Sequence, residues 1–79
     1  MGEFDNGKEK FLQVVKSIDP SVAVVMPVTP SRGMFLISFT KAGQRKFLTV
    51  SEDDILDLME DPDILKKVAG EIQNSIATF

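Results

Sequence analysis

Apolar residues recur along this chain with two different periods. Phe11, Val14, Val15 and Ile18 follow the i, i+3, i+4, i+7 spacing of one buried helical stripe. Asn6 can cap that helix while Glu9, three residues on, reaches back to the open backbone N–H. Asp19-Pro20 ends it, because proline pushes the preceding residue out of helical geometry. Residues 1–5 read as a flexible tail, with Gly2 and Gly7 loosening the start, and residues 6–79 as one α+β domain.

The period then shortens. Ser21 to Met26 is dense in β-branched residues and reads as a strand, ended by the Pro27 to Gly33 stretch with its two prolines. Met34 to Thr40 and Gln44 to Val50 read as two further strands joined around Lys41-Ala42-Gly43. A three-residue loop puts Gly43 at the left-handed position of a bulged turn, whereas a two-residue type I′ turn would force Ala42 to positive φ. In the three-residue register Thr40 faces Gln44. Phe35, Ile37 and Phe39 then share a face with Arg45, Phe47 and Thr49, while Met34 and Leu36 share the other with Leu48 and Val50. A slip of one residue would exchange the faces of the third strand.

Two helices follow. Ser51 caps the first, and Glu52, Asp53 and Asp54 occupy the turn where the helix dipole favours negative charge. Its expected buried residues are Ile55, Leu56, Leu58 and Met59. Asp61 caps the last helix with Pro62 at its first position, and Ile64, Leu65, Val68, Ala69, Ile72 and Ile76 form its stripe. Gly70 within it suggests close packing or a bend. The fold class is α+β: a three-stranded antiparallel meander with an N-terminal helix and two C-terminal helices, in the order αβββαα.

Composition narrows the chemistry. Of the 79 residues 43% are hydrophobic and 27% charged, the mixture of a folded domain rather than a disordered one. The longest apolar run, residues 22–28 including Pro27, is far short of the ~20 residues that span a bilayer. No basic segment followed by an apolar run opens the chain, so we expect no secretory signal and a cytoplasmic location. There is no cysteine, hence no disulfide or thiolate metal site. Histidine is absent too, and with it the imidazole base of a serine nucleophile and zinc sites of the usual nitrogen and sulfur kind. We therefore expect no enzyme, no cofactor, no metal and no small-molecule substrate. The acidic stretch from Glu52 to Asp63 lacks the central glycine of a calcium-binding loop, and Gly33 and Gly43 are isolated turn residues rather than a phosphate-binding loop.

The net charge of −3 conceals a division. Residues 1–20 hold four acids against three lysines; residues 21–50 hold Arg32, Lys41, Arg45 and Lys46 and no acid; residues 51–79 hold eight acids against Lys66 and Lys67. The sheet is basic and the C-terminal helices are acidic. Four cations and no tyrosine or tryptophan make a poor platform for nucleic acid, which is the third reading. The acidic residues Glu52, Asp53, Asp54, Asp57 and Glu60 offer a second one, a surface that binds a basic site on a nucleic-acid enzyme.

The order αβββα resembles that of double-stranded-RNA-binding domains. Those domains open their last helix with a basic run, and the matching helix here opens with Ser51-Glu52-Asp53-Asp54, so their binding residues do not carry over. The order αβββαα with acidic helices is also similar to some small phage-encoded inhibitors of CRISPR nucleases, in topology and acidity alone. That likeness suits a bacterial or phage-like protein.

The first reading comes from the sheet, which is apolar in both phases where a one-sided sheet should alternate. Either helices cover both faces or one face meets a partner. We expect a protein–protein interaction module, a homodimer or an adaptor. Its contact residues would be Met34, Leu36, Leu48 and Val50, with Lys41, Arg45 and Lys46 at the rim.

Overall fold

The computed structural model describes residues 4–79. Helix α1 (Asp5–Ile18) leads into strands β1 (Ala23–Val25), β2 (Met34–Lys41) and β3 (Gln44–Ser51), then helices α2 (Glu52–Asp57) and α3 (Pro62–Ala77). The strands form one antiparallel sheet in the order β1-β2-β3, so the architecture is the αβββαα read from the sequence. Residues 1–3 of the expected tail lie outside the described residues. Phe4 and Asp5, assigned to that tail, are structured. Phe4 meets the Phe35 ring edge-on at 5.0 Å, and Asp5 is the first helical residue. Asn6 therefore sits inside α1 and does not cap it; Phe4 occupies the cap position and supplies no side-chain hydrogen bond.

The other caps follow the sequence. Ser51 accepts from the Asp54 N–H, and Asp61 accepts from the N–H groups of Asp63 and Ile64 with Pro62 following. Each satisfies donors that the first turn of a helix leaves open.

One hydrophobic core holds the layers together. Phe11 and Val15 of α1, Phe35, Ile37 and Phe39 of β2, Ile55 and Leu58, and Val68 and Ile72 of α3 are all fully buried. Parallel Phe11 and Phe39 rings, 6.1 Å between centres, tie α1 to the sheet. Leu56 and Met59, expected inside, are exposed. α2 is only six residues long and buries a single flank.

Among the described residues all three helices lie against the same face of the sheet, the one that carries Phe35, Ile37 and Phe39, so one face is covered and not two. The β2–β3 register differs by one residue from the expected one. Lys41 pairs with Gln44 and Thr40 with Arg45, so only Ala42 and Gly43 form the turn, at φ of 51° and 81°. Both are positive, as a type I′ turn requires, and its twist matches the twist of the strands it joins. Holding alanine there costs on the order of 1–2 kcal/mol. The register repays this by placing Leu48 and Val50 toward the helices and Arg45 and Phe47 outward. The alternative would have hidden Phe47, but it would have buried a guanidinium and exposed two aliphatic side chains worth about 1.5–3 kcal/mol each.

A second turn of the same type was not anticipated. Ser31 and Met34 exchange backbone hydrogen bonds of 2.8 and 3.0 Å around Arg32 and Gly33, which also lie at positive φ. Strand β1 is shorter than the expected Ser21–Met26 and stops before Pro27, which has no N–H for the ladder.

The hydrogen-bonding phase of β3 follows from its turn. Residues flanking a two-residue turn form a hydrogen-bonded pair, and pairs of that kind recur every second residue. Glu52 N–H donates to the Gly33 carbonyl at 2.8 Å, in phase with Lys41 and Gln44. Gln44, Lys46, Leu48 and Val50 therefore bond to β2. Arg45, Phe47 and Thr49 turn their backbone groups to the open edge.

Candidate interaction surface

The face of the sheet away from the helices is built from Ala23 and Val25, then Met34, Leu36, Ser38 and Thr40, then Arg45, Phe47, Thr49 and Ser51. No helix covers it. Val25 is 64% exposed, Leu36 and Phe47 58% each, and Met34 38%. These are adjacent positions. Val25 lies opposite Ser38, Ser38 lies opposite Phe47, and Leu36 is a diagonal neighbour of both Val25 and Phe47. Diagonal pairs stand about 7–8 Å apart, within reach of a phenylalanine ring. The result is one apolar patch, linked diagonally through Leu36, with Ser38 at its middle and Thr40, Thr49 and Ser51 around it.

The sequence-derived contact set divides across the two faces. Met34 and Leu36 lie on the bare face as expected. Leu48 and Val50 do not share it: Val50 is buried and Leu48 packs against the core, a direct consequence of the two-residue turn. Phe47 and Val25 take their place and were missed. The signal that could have found Phe47 is the burial trade just described, since only one register hides both Leu48 and Val50.

The three hairpin cations are also separated. Lys41 binds Asp19 at 2.5 Å, fastening the hairpin to the end of α1. Lys46 points to the covered side, its ammonium 5.3 Å from the centre of the Phe79 ring. Arg45 alone stands on the bare face, at its hairpin end. Asp19 also accepts from the Ser21 hydroxyl at 2.6 Å and the Ser21 N–H at 3.0 Å. The Lys41 ammonium and these two donors hold its carboxyl down to about 2.

Glu52, Asp53 and Asp54 occupy the first turn of α2, at the opposite end of the sheet from Arg45; Asp57 and Glu60 follow along α2 and its exit turn. Asp54 is committed to Lys67 at 3.0 Å, and their hydrogen bond holds the ammonium above its usual range. Among the described residues no group of acids is placed to hold a metal ion, and no helix is long and apolar enough to cross a membrane.

Compared with protein-family models, curated proteins and solved structures, the chain finds no match.

Proposed function

We propose that this protein is a non-enzymatic interaction module that pairs with a second copy of itself through the bare face of its sheet. The observation carrying this reading is the contiguous exposure of Val25, Leu36 and Phe47 on a face that no element of the described residues covers. Charge supports a particular arrangement. Arg45 marks one end of the face, and Glu52 and Asp53 follow Ser51 at the other. A two-fold axis lying across the strands sets the Arg45 end of each copy over the acidic end of its mate, and such self-complementary contacts close as a dimer.

The energetics fit a modest affinity. Each large apolar side chain gains about 1.5–3 kcal/mol on full burial, and Val25, Met34, Leu36 and Phe47 are already partly shielded. Association costs at least ~4 kcal/mol. The balance places the dissociation constant on the order of micromolar to millimolar.

Sedimentation equilibrium tests the reading. Wild type should dimerise within the range up to about 1 mM, and Phe47→Glu should be monomeric with the melting temperature of dilute, monomeric wild type, because that side chain contributes little to the core. A monomeric wild type, or a Phe47→Glu protein that still dimerises, would remove the basis for the proposal.

A further inference from the structure

The helical side of the molecule carries a separate feature. A trough of about 540 Å³ lies between α1 and α3, within the ~300–1,000 Å³ typical of small-ligand sites. Its lining has a direction, because the two helices run the same way. At the α2 end Gly7 abuts Ile55 and Lys67 reaches Asp54; at the hairpin end Asp19 reaches Lys41 and Phe79 lies by Lys46. Lys10 of α1 and Lys66 of α3 thus flank the trough nearer α2, and Ser17 and Gln73 flank it nearer the hairpin. Val14, Leu65 and Gly70 line the length between them. From Lys10 to Ser17, as from Lys66 to Gln73, the helices rise about 10 Å.

Two observations make this more than a seam between helices. Neither Lys10 nor Lys66 forms an ion pair among the described residues, whereas Lys41 and Lys67 each do. Gly70 meets no atom within 4 Å of where a side chain would begin, so no packing contact requires glycine there. The wall of the trough is therefore bare at this position.

We propose that this trough binds a free single-chain carboxylate, with the head between Lys10 and Lys66 and the alkyl tail along Val14, Leu65 and Gly70. Ammonium groups at one end and neutral Ser17 and Gln73 at the other select a ligand with a single anionic terminus. The apolar lining selects a tail of medium length. A lipid within a bilayer would present its head and withhold its tail, so the free acid is the ligand that matches. The trough is open along its solvent side and shields one flank of the tail, which sets the affinity at roughly high micromolar to millimolar.

The test is an amide chemical-shift titration of the full chain with decanoate below its micelle concentration. Octyl glucoside and decyltrimethylammonium serve as neutral and cationic controls. Decanoate should shift Val14, Leu65 and Gly70 saturably, and the controls should not. Lys10→Glu with Lys66→Glu should weaken binding roughly tenfold or more without changing the melting temperature. Gly70→Leu should block the trough, and the lysine variants remain decisive should that bulky change disturb α3. No saturable shift at millimolar decanoate, an equal response to the cationic control, shifts confined to Val25, Leu36 and Phe47, or unchanged binding by the double lysine variant would each overturn the proposal. Since the sheet face and the trough lie on opposite sides, these outcomes are independent of the oligomeric state.

Discussion

Gly7 and Gly70 are both helical residues, and their surroundings give the same substitution opposite signs. A Cβ on Gly7 would stand 1.9 Å from the Ile55 carbonyl oxygen and 2.8 Å from its carbon, so α1 and α2 approach as closely as they do only because that position is bare. The obstruction is backbone and cannot rotate aside. Gly7→Ala should therefore destabilise the fold by about 1–3 kcal/mol through overpacking, more than offsetting the gain in helix propensity. Gly70→Ala meets open space and should stabilise by up to ~1 kcal/mol. For a domain of this size 1 kcal/mol moves the melting temperature by about 4–8 °C. Thermal unfolding of the two variants should thus bracket wild type, and a Gly7→Ala protein as stable as wild type would show that the helices are not pressed together there.

At the scale of elements, the end of α1 is tied to the hairpin by one ion pair, Asp19 with Lys41. The Asp19 carboxyl is held at about 2 against an ordinary 3.8. A carboxyl held low when folded stabilises the fold fully above its unfolded value and loses that contribution as pH falls through the folded value. The pair should therefore add stability above about pH 4 and cease to do so near pH 2. In Lys41→Met the Asp19 titration followed by carboxyl chemical shift should move up toward 3.8, and the stability gap to wild type should narrow over that acid range. A gap independent of pH between 2 and 5 would assign the effect to packing instead.

Much at this scale was legible from local chemistry. Ser51 and Asp61-Pro62 announced two helix starts, and the stripe of Phe11 and Val15 announced a buried flank. The hairpin register was not legible from turn preference alone, since Ala42 argues against the turn that forms. What decided it was long-range: Leu48 and Val50 gain more from the helices than alanine loses at positive φ. The same non-local origin hid the burial of Gly7, because nothing near it in sequence signals that Ile55 will arrive beside it. It also hid Phe47 and Val25, the residues that replace Leu48 and Val50 on the bare face, and it spread the hairpin cations over three different settings.

For the molecule as a whole, stacking the described helices on one side makes a two-layer domain with an apolar interior and a greasy exterior panel. A small chain can support this because Ser38, Thr40, Thr49 and Ser51 keep that panel partly polar between the larger groups. The arrangement also sets Arg45 and the acidic start of α2 at opposite ends of the panel, with the inter-helix trough behind it. The outward half of β3 offers a test of how two copies would meet. Amide protons of Gln44, Lys46, Leu48 and Val50 are locked into the ladder, whereas those of Arg45, Phe47 and Thr49 face water, so deuterium uptake should alternate slow and fast along this one strand. Copies stacked panel to panel would leave that alternation intact at every protein concentration. Copies that instead zipped together side by side would slow Arg45, Phe47 and Thr49 and flatten the alternation as the solution is made more concentrated.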